Sequence, residues 1–336
     1  MPGPNRALDR RFLSRRALLA ACALTAVAPL AEASSQQQPL SWSSGEPIPL
    51  ARSELAAAVV DRSIYVCGGF GGGRRVDRFD TATVTWTQVA DLPVGVHHLG
   101  VTALDDILYV AGGYGVDDHI AVDHLWAYDP DDDSWSARAS LPEPTGAFGL
   151  VALGGALYAA GGAYEHLGGP ASGDLFRYDP RVDRWEVLAP MPTPREHLAV
   201  VALAGEIFTV GGRANGDEGD QFAAAVEAYD PAADAWSPRA PLPVPRGGLT
   251  GVAANDSIVV LGGERGSTAF ADANRYVLAT DAWGELPPMT TARHGLASAF
   301  LDGTVYAITG SRLAGGIDNT PAVEILQIDA KATPTT

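Results

Sequence analysis

Six tryptophans in this chain are each followed, 27 residues later, by a glycine: Trp42 to Gly69, Trp86 to Gly113, Trp135 to Gly162, Trp185 to Gly212, Trp236 to Gly263 and Trp283 to Gly310. In five of the six the glycine closes a Gly-Gly pair. The stretch from each glycine to the next tryptophan runs 17, 22, 23, 24 and 20 residues instead. A constant interval between two landmarks marks a rigid unit, and an interval that accepts insertions marks a surface loop. The repeat therefore separates scaffold from a candidate binding face.

Thirteen residues past each tryptophan, Leu55, Leu99, Phe148, Leu198, Leu249 or Leu296 opens an apolar run. The next residue is always small or compact: Ala56, Gly100, Gly149, Ala199, Thr250, Ala297. Such residues suit strands that converge on a common axis. Each run reaches a tight turn, such as Leu104-Asp105-Asp106, and enters a second apolar strand that ends in the glycines. After the variable loop comes a third strand, then Tyr-Asp-Pro at 128–130, 178–180 and 229–231, then a fourth strand carrying the next tryptophan. Four antiparallel strands in a period of 44 to 51 residues is the arithmetic of a propeller blade.

The sixth repeat supplies only three strands, ending at Val323-Glu324-Ile325-Leu326, and the Trp42 strand has none before it. Pairing the two closes a ring and removes an exposed sheet edge. The expected fold is all-β: a six-bladed β-propeller of four-stranded antiparallel blades over residues 40–329, its last blade completed by the strand around Trp42.

The glycine pairs, the Tyr-Asp-Pro turns, the tryptophans and the Leu/Met-Pro steps at 92–93, 141–142, 191–192 and 242–243 together resemble the Kelch-repeat family. The resemblance covers essentially all of the chain from residue 40. Three departures stand out: Thr309 replaces the first glycine of the sixth pair, Val84 the aspartate two residues before Trp86, and Val277 the aspartate of the fifth Tyr-Asp.

Ahead of the repeats, Arg10, Arg11, Arg15 and Arg16 precede the apolar stretch 17–30, which is short for a membrane span. Ser14-Arg15-Arg16-Ala17-Leu18-Leu19 resembles a twin-arginine export motif, and Ala31-Glu32-Ala33 offers a cleavage site. The expectation is a signal peptide over 1–33, a linker over 34–39 and a disordered tail over 330–336, with export to the periplasm or the exterior and no transmembrane segment in the mature chain. The alternative is a lipobox, Leu19-Ala20-Ala21-Cys22, with Cys22 acylated. A net charge of −17 argues against nucleic acid and anionic membranes as partners. Cys67, inside an apolar run, is expected to be a buried structural thiol.

Antiparallel alternation puts the loop after each glycine pair on the same face as the entry into the next blade's first strand. Ten residues past tryptophan, that face receives Arg52, Arg195, Arg246 and Arg293, with Val96 and Thr145 in the other two blades. Beside them come His97, His98, His197 and His294, and the loops add Tyr114, His119, Tyr164, His166, Arg213, Glu264, Arg265 and Arg312. The opposite face carries aspartates such as Asp61, Asp105, Asp183 and Asp302. The arginines, histidines and tyrosines of the loop face are the expected binding set for an unknown carbohydrate, peptide or protein ligand, anionic in character. The competing role for the arginines is to brace blades by bonding carbonyls or carboxylates.

A second reading follows from resemblance to exported six-bladed Kelch proteins of the N-acetylneuraminate epimerase group, sugar isomerases of mutarotase type. There a carboxylate moves the anomeric proton and an arginine holds the substrate. Glu264 is the candidate base here, yet the group's Pro-Gly loop and Arg-Thr-Asp step are absent where Gly266-Ser267-Thr268-Ala269-Phe270 stands. A third reading, a copper-radical enzyme like galactose oxidase, would need two tyrosines and two histidines at copper with one tyrosine cross-linked to cysteine. Cys67 does not fit that pattern, and the histidines lack compact ligand spacing. No cofactor and no metal are expected; any metal site would have to be assembled from several blades.

Overall fold

Short apolar runs bounded by glycine and aspartate turns can satisfy their backbone groups only by pairing with their neighbours. In the computed structural model, which describes residues 39–214, 221–316 and 318–328, they do so as six four-stranded antiparallel sheets. The leader, most of the linker and the tail expected from the sequence lie outside the described residues. Blade 1 pairs Ala56–Val60, Ser63–Cys67, Val76–Asp80 and Thr85–Gln88 in that order. The first strands of blades 2 to 6 are Gly100–Leu104, Gly149–Leu153, Ala199–Leu203, Thr250–Ala254 and Ala297–Leu301. Trp42–Ser44 pairs antiparallel with Val323–Gln327, Trp42 opposite Leu326, and so completes blade 6. No helix among the described residues is long and apolar enough to cross a membrane.

The first strands pack side by side around the axis, each against the next and the sixth against the first. A Cβ on Gly149 would overlap the side chain of Val200 in the following blade, so at this point of the ring only glycine fits. The strands enclose a channel of about 410 Å³ with walls of mostly alanine, valine and leucine. Cys67 is fully buried, and that burial pushes its thiol up to about 12.

The six repeat tryptophans act at the outer rim. Each indole donates to a carbonyl of the preceding blade: Trp135 Nε1 to Ala90 O at 3.0 Å, Trp185 to Ala139, Trp236 to Ala189, Trp283 to Ala240, Trp86 to Glu46 and Trp42 to Pro287. In four blades the aspartate two residues before the tryptophan accepts the N–H of that same alanine, as Asp133 does from Ala90 at 2.8 Å. That aspartate also accepts the hydroxyl of a strand tyrosine, Tyr128, Tyr178, Tyr229 or Tyr276. Blade 1 has Phe79 and Val84 at these two positions, losing hydroxyl and carboxylate together. In blade 6 the partner residue is Pro287, which has no N–H to give.

Candidate functional site at the loop mouth of the axis

The glycine 27 residues past each repeat tryptophan turns with φ between 96° and 107° and donates its N–H across to the next blade. Gly69 reaches Val96 O, Gly113 Thr145 O, Gly162 Arg195 O, Gly212 Arg246 O, Gly263 Arg293 O and Gly310 Arg52 O. This bond joins the start of each variable loop to the strand entry of the following blade. Within each blade the same two segments also pair, as in the bridges Ser53 to Phe70, Glu196 to Arg213, Gly247 to Glu264 and His294 to Ser311. The two kinds of loop therefore share one face, as antiparallel alternation requires.

Two residues further along, the chain closes a second and tighter ring around the axis. His98 N–H donates to Glu54 O, Ala147 to His98, His197 to Ala147, Gly248 to His197, Gly295 to Gly248, and Glu54 to Gly295, all between 2.7 and 2.9 Å. Six backbone hydrogen bonds thus close on themselves, one from each blade. All six residues adopt left-handed φ between 52° and 61°. That conformation is natural for Gly248 and Gly295 but unfavourable for Glu54, His98, Ala147 and His197. Their side chains sit where the channel meets the loop face.

Around this ring the structure gathers a continuous cluster of buried ionisable groups. Glu54 Oε2 lies 3.2 Å from His98 Nε2, and Glu54 Oε1 lies 3.1 Å from His294 Nδ1. His294 Nδ1 is 3.5 Å from Glu264 Oε2, and Glu264 Oε1 is 3.2 Å from Arg213. Arg213 Nε donates to Glu196 Oε1 at 2.8 Å, and Glu196 Oε2 lies 2.8 Å from His197 Nδ1. A branch runs outward from His98: its Nδ1 is 2.5 Å from His97 Nδ1, and His97 Nε2 is 2.9 Å from Nδ1 of the exposed His119. Phe70 stacks on His97 with ring centroids 4.0 Å apart.

The electrostatics follow from burial and pairing. Burial alone would raise the Glu54 carboxyl, but His98 and His294 outweigh it and hold the group below the usual carboxylate range. Burial likewise opposes the Glu196 charge, and His197 with Arg213 reverses this, bringing it down to about 2. His294 would be lowered by burial, yet its bond to Glu54 lifts it to about 9, so it is an imidazolium at neutral pH. His98 is held well below its ordinary value by burial, and His97 falls to about 4 through burial and the nearby His119. With Glu54 ionised and these imidazoles neutral, the tautomers are determined. His98 Nε2–H donates to Glu54, His97 Nδ1–H donates to His98, and His119 Nδ1–H donates to His97.

The four arginines are placed differently from the sequence expectation of a ligand-facing set. Arg52, Arg195, Arg246 and Arg293 have no exposed surface. Each guanidinium points back into its own blade and meets a polar residue of the third strand: Arg52 with Asp77 at 2.7 Å, Arg195 with Glu227 at 2.6 Å, Arg246 with Asn274 at 2.8 Å and Arg293 with Glu324 at 3.1 Å. Backbone carbonyls take further donors, as Val66 O does from Arg52 and Gly262 O from Arg246. This is the bracing role, performed within a blade. The two blades without the arginine carry Trp126 and Phe176 at the partner position. A third-strand acid or amide only where Arg stands was the sequence signal that could have found it.

The remaining expected residues divide between cluster and rim. His97, His98, His197, His294, Arg213 and Glu264 belong to the cluster. Tyr114 is buried beside His97, its hydroxyl donating to Ala163 O, and burial raises its pKa. Tyr164 is half-buried and bonded to Asp174 and Ser172. His119, His166 and Arg265 are exposed on the rim, as is Arg312, which pairs with Asp318 at 2.7 Å. Two central members, Glu54 and Glu196, are absent from the sequence-derived set, although they stand twelve and eleven residues past tryptophan, level with the histidines that were found. The sequence requires any metal site to be assembled from several blades, and the candidate donor set among the described residues is of that kind: Glu54, His98 and His197 each offer a donor atom within 4.8 Å of the others. The donors come from three blades, which hides them from any count along the chain.

Comparison with known proteins agrees with this architecture. The family described as KLHDC2/KLHL20/DRC7 Kelch-repeats domain matches residues 34–212, and the Kelch motif matches 194–243. No curated protein matches the chain. Among solved structures, one titled "Structure of YjhT" superposes with a TM-score of 0.72 at 19% identity, covering 84% of this chain and 95% of the other. At that identity the likeness is one of fold. With six blades, a glycine-closed ring and family matches spanning more than half of its length, the chain belongs to the Kelch-repeat family.

Proposed function

We propose that this chain is an exported Kelch-repeat binding protein that takes a polar, hydroxyl-rich or carboxylate-bearing ligand, a carbohydrate first, on its loop face. The observation that carries the reading is the convergence of Glu54, Glu196, Glu264, His294 and Arg213 on one mouth of the axis, under a rim of exposed His119, His166 and Arg265. Fixed acceptors beside fixed donors suit hydroxyl groups, which are both. With four arginines serving as braces, the positive charge of the sequence-derived set at the mouth and rim comes from Arg213, Arg265, Arg312 and His294, of which Arg213, Arg312 and His294 already share carboxylates. Titration calorimetry against neutral and acidic sugars tests the proposal. Binding is expected to disappear in His119→Ala/Arg265→Ala and persist in the opposite-face control Asp105→Asn/Asp106→Asn. Absence of binding across the panel, or binding indifferent to the rim, contradicts it. The export part rests on the twin-arginine-like leader; a reporter fused to residues 1–33 that stays in the cytoplasm would overturn it.

One observation favours a second, enzymatic reading. Glu264 Oε2 is buried, makes no hydrogen bond, and stands 3.5 Å from the His294 nitrogen. A carboxylate and an imidazolium so placed can take and return the proton of an anomeric hydroxyl. NMR exchange spectroscopy on added sialic acid separates the two readings. Exchange faster than buffer that is lost in Glu264→Gln supports the isomerase, and exchange equal to buffer leaves the binder.

A further inference from the structure

The three donors at the inner ring have a chemistry that a sugar-binding face does not require. Glu54, His98 and His197 occupy equivalent positions in blades 1, 2 and 4, each with a left-handed φ of 52° to 56°. Glycine serves that position in blades 5 and 6. Holding three branched-function side chains in an unfavourable backbone conformation, at one level of one axis, is a pattern found at functional sites. The ring of backbone hydrogen bonds enforces it, because a slip at one blade would break the bonds on both sides.

The surroundings of the three residues are also those of metal ligands. His98 Nδ1 lies 2.5 Å from His97 Nδ1, and His197 Nδ1 lies 2.8 Å from a Glu196 carboxylate oxygen, an ion-pair contact without hydrogen-bond geometry. Imidazoles that bind metals commonly have a carboxylate, carbonyl or other acceptor behind their second nitrogen, and both rings have a polar group at that place. His98 then presents Nε2 to Glu54 Oε2 at 3.2 Å. The His197 ring lies against that of His98 with centroids 4.7 Å apart. Two cations stand nearby: the His294 imidazolium, 3.1 Å from Glu54 Oε1, and Arg213, whose NH2 lies 3.5 Å from His197 Nε2 and would have to be pushed aside. Arg213 is already tied to Glu196 and Glu264. Three glutamates against Arg213 and the His294 imidazolium leave the cluster a net negative charge. All three donors are more than nine-tenths buried and border the axial channel, which supplies a route in and an open coordination position.

We propose that Glu54, His98 and His197 form a binding site for a single first-row divalent metal, Zn²⁺ by preference. Two imidazoles, one carboxylate and one solvent position are a set that Zn²⁺ accepts in four-coordinate geometry. Metal at His98 Nε2 places the His98 proton on Nδ1, so the relay reverses: His98 Nδ1–H donates to His97 Nδ1, His97 Nε2–H donates to His119 Nδ1, and the His119 proton moves to its own Nε2, while Glu196 stands as the carboxylate behind His197. The site is independent of the sugar-binding reading, since its test reads metal and no other ligand.

Chelator-stripped full-length protein is dialysed against Zn²⁺ alone and, in parallel, against Co²⁺ as a visible probe. One equivalent of Zn²⁺ is expected to remain after removal of excess, with a rise in Tm. Co²⁺ is expected to give the intense visible bands of a four-coordinate site. Retention is expected to fall at least tenfold in His98→Ala and in His197→Ala and to be unchanged in His124→Ala, which lies outside the cluster. Retention below a tenth of an equivalent overturns the proposal, as does equal retention in the His98 and His197 variants. Should either variant fail to fold, the wild-type Co²⁺ spectrum decides. Four-coordinate bands that Zn²⁺ displaces one for one support the site, and their absence at one equivalent overturns it.

Discussion

His294 Nδ1 stands 3.1 Å from Glu54 Oε1, so that the last blade of the ring is held to the first by a buried ion pair between residues 240 positions apart in sequence. The pair makes the electrostatics of the loop mouth a property of ring closure. Neither residue would have this partner in an open chain of blades.

A pH dependence of stability follows for the metal-free protein. The His294 pKa is raised to about 9 in the fold, so its contribution is complete below the unfolded value near 6.5 and is lost as pH rises to about 9. His97 and His98 are lowered, so the unfolded chain binds their protons first and stability falls as pH drops below about 6.5. Glu54 and Glu196, both lowered, add further loss in acid. Urea unfolding across pH is expected to show a maximum near 6.5, with an alkaline limb of on the order of 3 kcal/mol. His294→Gln is expected to flatten the alkaline limb and leave the acid limb standing.

The braces make a separate prediction. Arg195→Met leaves the Glu227 carboxylate, 6% exposed, without its buried partner. Breaking a buried pair from one side costs about 3 to 5 kcal/mol, whereas replacing both members with apolar groups is often neutral. Chemical denaturation should show Arg195→Met strongly destabilised and Arg195→Met/Glu227→Leu restored by most of that loss. Equal loss in both would mean that the carboxylate is not what the arginine serves.

At the outer rim, Val84 occupies a left-handed φ of 56° and is exposed, in the place where four other blades have the stapling aspartate. A β-branched residue is poorly suited to that backbone. Val84→Asp relieves the conformation and offers a carboxylate toward the Glu46 segment that Trp86 already contacts. A gain of about 1 kcal/mol is expected. Trp135→Phe, which orphans the Ala90 carbonyl, should lose about the same amount beyond its packing. Thermal unfolding of the two variants checks both signs.

How much of this was legible in the sequence depends on whether the cause is local. The interval from tryptophan to glycine is set inside one blade, so it survives as a fixed number and reveals blade count, ring closure and the loop face. Thr309 shows the limit of local reading. In the sequence it is only a departure from the glycine pattern, yet its buried hydroxyl sits 2.7 Å from Arg52 O and 3.1 Å from Arg52 N, fastening the seam where the ring closes. Its partner is 257 residues away. The arginines were misplaced for a related reason. Their position in the repeat was visible, but whether a side chain at the strand entry points to the axis or back into the blade depends on the third-strand residue it finds there. Glu54 and Glu196 belong to the cluster only because six blades bring one register position to one axis.

The most direct test of the central claim, that the loop mouth holds one coupled cluster of buried glutamates and histidines, is a ¹⁵N NMR titration of the histidine side chains in the metal-free protein. His294 is expected to titrate with a midpoint about 9 and His97 with one about 4, with His98 remaining neutral below its ordinary value. Midpoints that all gather near 6.5, as for independent solvent-exposed imidazoles, would contradict the account.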